Sequence, residues 1–301
     1  MAQSVSALGI EHIDVKSQLM RAYRCWTKRS RQQLVTQLAS AAELPTAVLF
    51  YHRVADTHPN AWTMSCRNFC KQLDWLQENF DIVSLGDAQR AIQSTEGNSG
   101  RMKIAITFDD GYADNAKFAI PELAKRGLTA TYFVSTDFVV QQKPFPHDLV
   151  AGTPLAVDTI ETLQSYLDCG MSLGAHTRSH INLGAIQDEA RMQQEIEGGL
   201  RQLQNWFGDV IDYFAFPFGL PENTSQLAVD VIKQCRFKGF CTAYGAFNWS
   251  SNEGFHIRRI HADPGIEKLK NWLTLDRRKL VDRYQLPFQE TPHRVPHLIE
   301  A

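Results

Sequence analysis

Ile104-Ala105-Ile106-Thr107-Phe108-Asp109-Asp110-Gly111-Tyr112 is an apolar, partly β-branched run that ends in two consecutive carboxylates. A strand buried on both faces of a parallel sheet reads this way, without polar alternation. Adjacent carboxylates repel, so both stay ionised only where a cation or strong hydrogen bonds offset the repulsion. An Asp ahead of a helix is also a common cap, so the pair gains meaning only from what surrounds it.

Similar runs recur along the chain. Residues 46–51, 103–108, 129–134, 171–175, 213–216, 239–243 and 256–260 read as strands. Residues 68–79, 114–125, 158–168, 188–206 and 225–234 read as helices, several opening on an Asn, Asp or Ser suited to capping. The alternation predicts an α/β fold, a distorted or incomplete (β/α) barrel of about seven parallel strands, with function at the carboxyl ends of the strands. Segment 137–157, carrying Pro144, Pro146 and Pro154, is long for a connection and is expected to form a flap over the site. The tail after Leu286, with Pro287, Pro292 and Pro296, is expected to run over the surface without regular structure.

The division expected is an N-terminal helical extension over 1–44, a catalytic domain over 45–275 and a tail over 276–301. In the extension Leu19, Tyr23, Trp26, Leu34 and Leu38 stand at helical spacings, with Arg21, Arg24, Lys28, Arg29 and Arg31 between them. Such a basic amphipathic helix either packs on the main domain with a solvated basic face or makes a peripheral contact with an anionic membrane. A formal charge of -2 over 301 residues offers polyanions no long-range attraction, so no nucleic acid is expected as a partner. The six cysteines lack zinc-knuckle spacing and are sparse for a disulfide scaffold, so they read as reduced thiols. With neither an export signal nor a membrane span in the sequence, the expected location is cytoplasmic, or peripheral at the inner membrane face.

A second chemical feature, Gly174-Ala175-His176-Thr177-Arg178-Ser179-His180, also follows a strand-like run. On a helix, histidines four apart share a face, which would let His176 and His180 reach one ion. Joined to an Asp from another strand end, they make two imidazoles and a carboxylate with open coordination positions, the composition of a catalytic rather than a structural metal site. A third feature, Tyr213-Phe214-Ala215-Phe216-Pro217-Phe218-Gly219, is either core or, through Pro217 and Phe218, the wall of a groove where a ring stacks on a sugar face.

Across roughly residues 45–275 the chain resembles the polysaccharide deacetylases of carbohydrate esterase family four, the domain shared with nodulation-factor deacetylases. Thr107-Phe108-Asp109-Asp110-Gly111 resembles the family's first motif and His176-Thr177-Arg178-Ser179-His180 its second. The resemblance implies that Asp109 is a general base and that Asp110, His176 and His180 hold one divalent ion, Zn²⁺ before Co²⁺, Mn²⁺, Ni²⁺ or Fe²⁺. The backbone N–H of Tyr112 would hold the oxyanion. The third motif lacks its usual Arg, and the usual late Leu-X-X-His is missing near the C-terminus. Instead Leu49-Phe50-Tyr51-His52 closes the first strand, and Arg259 lies in Ile257-Arg258-Arg259-Ile260. This arrangement resembles the circularly permuted poly-N-acetylglucosamine deacetylase branch, which implies that a protonated His52 donates to the leaving amine and that Arg259 orients Asp109. The implied activity is metal-dependent removal of acetyl from N-acetylglucosamine-type residues of an N-acetylated glycan or its precursor. An O-acetyl esterase, a lipid-linked sugar deformylase or deacetylase, and a silent glycan-binding protein are the alternatives.

Overall fold

Seven strands form where the apolar runs stand: β1 Thr46–Tyr51, β2 Lys103–Phe108, β3 Thr131–Val134, β4 Ser172–Ala175, β5 Tyr213–Ala215, β6 Gly239–Thr242 and β7 His256–His261. The computed structural model describes residues 15–262 and 265–280, and beyond them only 286, 288, 294–296 and 299. All seven strands pair in parallel, each with its neighbours in chain order. The ring closes where Val48 of β1 lies against Arg259 of β7, so the barrel is complete rather than open. It is still uneven. One edge of β2 is shared between β3 and a short strand, Asp81–Val83, and β4 meets β5 through a single register pair, Ala175↔Phe214.

Because side chains alternate across a strand, each strand sends every second residue into the barrel. Val48, Ala105, Phe133, Ala215, Cys241 and Ile257, one from each of six strands, form a single buried cluster with Leu85, Ala88 and Ile92. Those last three belong to the helix Leu85–Gln93. β4 offers Gly174 to this layer, where a Cβ would stand 2.4 Å from the Phe133 ring. The large ring therefore fills the interior because its neighbour has no side chain. Two residues further along each strand, the same inward rows carry Phe50, Thr107, His176 and Arg259, and beyond those His52, Asp109 and His261. An apolar floor thus sits beneath a polar layer at the carboxyl ends of the strands.

Outside the ring, helices such as Cys66–Asn79, Ile160–Asp168, Glu189–Phe207 and Gln226–Gln234 pack their apolar faces on the sheet. Asp188 and Ser225 cap two of them as expected, whereas Ser65 and Thr159 cap the helices expected to open at Asn68 and Asp158. Asp158 is instead a buried carboxylate taking a hydrogen bond from the Tyr166 hydroxyl at 2.8 Å. The helix expected over 114–125 breaks at Phe118, whose φ of -140° is not helical. Leu85–Gln93 and Ile266–Leu273 form two helices that the alternation did not single out. Segment 137–157 contains the helices Thr136–Gln141 and Pro146–Val150, anchored by the fully buried Phe145.

The extension forms α1 Val15–Trp26 and α2 Lys28–Ser40. α2 buries Leu34 and Leu38, and Arg31 donates to Asp276 at 2.9 Å and to the Asn271 side chain at 2.9 Å. All six cysteines are unpaired. Among the described residues no helix is long and apolar enough to cross a membrane. Most of the expected tail lies outside the described residues, and positions 294–296 have no regular structure.

Candidate active site

The polar layer gathers residues far apart in sequence. Asp110 follows β2, His176 follows β4, and the two histidines converge on one carboxylate oxygen: Asp110 Oδ1 is 3.5 Å from His176 Nε2 and 3.1 Å from His180 Nε2. One donor atom from each lies within 4.8 Å of the others, the one such group among the described residues. An ion bonded at about 2.0–2.2 Å to each ligand would hold them roughly 3–3.5 Å apart, so these separations fit a divalent metal. The protonation pattern fits too. His176 Nδ1 lies 2.8 Å from the Ala215 carbonyl, which can only accept, so Nδ1 carries the hydrogen and Nε2 presents its lone pair to the cluster. Burial alone would raise the Asp110 carboxyl, but His180 and His176 more than reverse this and hold it well below the carboxylate range.

The histidine pair does not reach the site as helical spacing predicts. Residues 176–182 form no helix; His176 leaves β4 extended, and Thr177 (φ 64°) and His180 (φ 55°) turn through the left-handed region. Four of the ten non-glycine residues with positive φ in the described chain, Asp110, Thr177, His180 and Phe218, surround this one point. Each such residue costs on the order of 1–3 kcal/mol and persists only where the surroundings fix it. Here the helix Glu189–Phe207 does so. Glu195 accepts from the Ser179 hydroxyl at 2.7 Å and the Ser179 N–H at 3.0 Å, and its carbonyl takes the Arg178 N–H at 3.0 Å. A Cβ on Gly199 would stand 3.2 Å from the Thr177 carbonyl carbon, and one on Gly198 2.9 Å from Arg178 Cδ. Two mid-helix glycines, each costing about 1 kcal/mol against Ala, are what let the loop lie so close. Glu195→Gln is therefore expected to weaken metal affinity by about 10–100-fold, the scale for residues that orient a ligand. Competition with a chromophoric chelator reads this out, and an unchanged affinity would mean the loop keeps its shape unaided.

Asp109 points inward beside the cluster, 3 % exposed, with both oxygens gripped by Arg259: Nη1 to Oδ1 at 2.6 Å and Nη2 to Oδ2 at 2.8 Å. Arg259 also donates to Thr107 Oγ1 at 3.1 Å and the Thr242 carbonyl at 3.3 Å, with its guanidinium over the Phe50 ring. Burial pushes the Asp109 carboxyl up, and Arg259, aided by His176 and His52, brings it below its ordinary value. Such a bidentate pair fixes the direction of a carboxylate as well as its charge.

His52 stands at the end of β1, half-buried, its ring 4.8 Å from Trp62 and 5.8 Å from His261. Its Nδ1 has no hydrogen-bond partner among the described residues. Burial lowers its pKa to about 4 against the pull of Asp110 and Asp109. Burial thus favours the uncharged imidazole at rest, so the donor role expected of His52 requires that it first gain a proton. Tyr112 is expected to act through its backbone N–H. Its side chain is fully buried, hydrogen-bonded to His147 Nε2 at 2.7 Å and Asp148 Oδ2 at 3.0 Å, and cannot face a substrate. Its backbone N–H meets no acceptor among the described residues. Pro217 is buried, whereas Phe218 is 57 % exposed with its ring 5.1 Å from that of His180.

Sequence reasoning missed Trp62, 46 % exposed over His52, and Phe145 and His147, whose rings lie 5.5 Å and 6.5 Å from that of His180. It also missed His261, although the inward period of β7 runs Ile257, Arg259, His261 and could have pointed to it.

Residues 96–240 match the family described as polysaccharide deacetylase. The chain is 26% identical over 227 residues to YxkH of Bacillus subtilis (strain 168), a polysaccharide deacetylase by name, covering 75% of this chain and 73% of that one. Among solved structures, IcaB from Ammonifex degensii superposes with a TM-score of 0.63 at 20% identity, over 76% of this chain and 97% of IcaB. The Streptococcus pyogenes deacetylase PplD, solved with acetate, gives 0.63 at 20% over 76% and 98%. A de-N-acetylase of Aggregatibacter actinomycetemcomitans gives 0.62 at 19% over 76% and 99%. These three share the fold.

Proposed function

We propose, from the match of residues 96–240 to the polysaccharide deacetylase family, that the chain is a metal-dependent hydrolase removing acetyl from the nitrogen of N-acetylglucosamine-type residues in a glycan or its precursor. The observation that carries this reading is the Asp109–Arg259 pair standing beside the converging Asp110, His176 and His180. A divalent ion held by those three, Zn²⁺ in the first instance, would polarise the acetyl carbonyl and acidify a water. Asp109, aimed by Arg259, takes the proton from that water as its oxygen attacks the carbonyl carbon. The Tyr112 N–H is available to the oxygen on which negative charge develops. As the carbon–nitrogen bond breaks, His52 delivers a proton to the departing nitrogen. Because His52 is neutral at rest, the proton it delivers is, in the overall balance, the one Asp109 removed from the water, which leaves Asp109 ionised for the next turnover. Acetate and a free amine result. Phe218 on one side and Trp62 on the other offer exposed rings to sugar faces.

Asp109 and all three prospective ligands lie within residues 96–240, whereas His52 and Arg259 come from β1 and β7 outside that stretch. This division supports the circularly permuted arrangement and a catalytic unit spanning about residues 45–275. The test is a panel of N-acetylated chito-oligosaccharides, O-acetylated xylan and lipid-linked N-acetyl sugars, with acetate assayed and products weighed by mass spectrometry. Loss of one acetyl group from the N-acetylated substrates, stimulated by added Zn²⁺ and abolished by chelator, is expected. Release from xylan alone would make the protein an O-acetyl esterase, and no release from any substrate would remove the enzymatic reading.

A further inference from the structure

α1 rests on the barrel with only one side. Tyr23 donates to Asp276 at 2.6 Å and Arg24 pairs with Glu267 at 2.5 Å, yet no residue of the helix is buried. Beside Tyr23, on the exposed part of the helix, Val15, Leu19, Ala22 and Trp26 stand four, three and four residues apart on one line. Val15 is 65 % exposed, Leu19 66 % and Trp26 79 %. Residues 15–40 contain six Lys or Arg and no Asp or Glu, in a chain whose formal charge is -2. Two of the six are committed inward, Arg24 to Glu267 and Arg31 to Asp276. Arg21, Lys28 and Arg29 are exposed and form no ion pair among the described residues.

We propose that the outer face of α1 docks on the surface of an anionic lipid bilayer, with Val15, Leu19 and Trp26 entering the interface and Arg21, Lys28 and Arg29 meeting lipid phosphates. An apolar line flanked by unpaired cations is the pattern that lies in the plane of a membrane surface, with Trp at the boundary between tails and headgroups. A second copy of the chain is a poor occupant, since a two-fold contact through α1 would oppose like charges from both copies. Glu267 sits in the first turn of the helix after β7, which starts at the end of the barrel where the strands finish, whereas Asp276 lies beyond that helix's other end. α1, held to Glu267 by Arg24 and to Asp276 by Tyr23, therefore lies against this helix. This inference is independent of the deacetylase reading.

The experiment uses the full chain and vesicles of phosphatidylcholine alone or with phosphatidylglycerol, read by co-sedimentation. Binding is expected only to the anionic vesicles and should weaken with added salt, which screens the charge contribution. Because the altered side chains are exposed, Leu19→Asp/Trp26→Asp and Arg21→Glu/Lys28→Glu/Arg29→Glu should keep the parent circular dichroism. Each should lower partitioning by roughly tenfold or more. The Trp emission should shift to the blue on binding, and Trp26→Phe should lose that shift. No binding to anionic vesicles, or equal binding by both variants, overturns the proposal. So does a concentration-dependent dimer abolished by Leu19→Asp/Trp26→Asp, which would identify a second copy as the occupant.

Discussion

Asp110→Ala should yield a folded barrel that no longer retains a divalent ion, with affinity lower by more than the roughly 100-fold seen for changes in ligand-orienting residues. The carboxylate is 4 % exposed and, among the described residues, is the only negative partner both imidazoles share. Without it two imidazoles remain, and no ligand carries a charge to offset that of the ion. Backbone strain has to be separated from ligand loss, because Asp110 sits at φ 77° and Ala tolerates the left-handed region less well than Asp or Asn. Asp110→Asn serves that purpose. It keeps the shape and the tolerance while removing the charge, and it should also be metal-poor. His176→Ala should behave like Asp110→Ala and additionally free the Ala215 carbonyl. Metal-to-protein ratios after dialysis decide the matter, and a variant that stays fully loaded removes its residue from the ligand set.

What could be read before the structure, and what could not, follows from how local each signal is. The seven strands are legible because both faces are buried, so every position in 46–51 and 104–108 reports the same environment. Ring closure is not local: it depends on β1 meeting β7 across more than two hundred residues. The helix Leu85–Gln93 escaped notice because it plugs the barrel floor with only Leu85, Ala88 and Ile92, too brief a period to stand out. The sequence pairs His176 with His180 through a helical spacing that the chain does not adopt. Their convergence comes from two left-handed residues and from the support of Glu195 and Gly199, fifteen or more residues away. Asp109 could be suspected from its neighbour alone. Arg259 emerged only from family resemblance, since a guanidinium that meets a carboxylate 150 positions away leaves no trace in either segment. Trp62 was invisible for the same reason: the turn that carries it is fixed by Asn60 contacting its own backbone and Asp148.

Asp109→Asn should retain metal and lose turnover by about 100-fold or more, the usual contribution of a general base. The same substitution damages the fold, which is why turnover alone does not establish the role. Arg259 is 1 % exposed and gives two hydrogen bonds to Asp109. An amide in its place offers one acceptor and turns an N–H₂ towards a donor-only guanidinium. Breaking one partner of a buried pair costs about 3–5 kcal/mol, so a lower melting temperature is expected alongside the kinetic defect. Removing both charges separates the two effects. In Asp109→Leu/Arg259→Met neither charge is stranded, and apolar replacement of a buried pair is often neutral for stability. The double variant should therefore recover much of the lost melting temperature while its turnover stays at the level of Asp109→Asn. If turnover returned together with stability, the pair would be a structural clamp and the base would have to be sought elsewhere. Undiminished turnover in metal-loaded Asp109→Asn would lead to the same conclusion more directly. Arg259→Met alone leaves Asp109 buried and free to rotate, so it should lose turnover too while keeping the metal, because Asp110, His176 and His180 do not depend on it for their contacts.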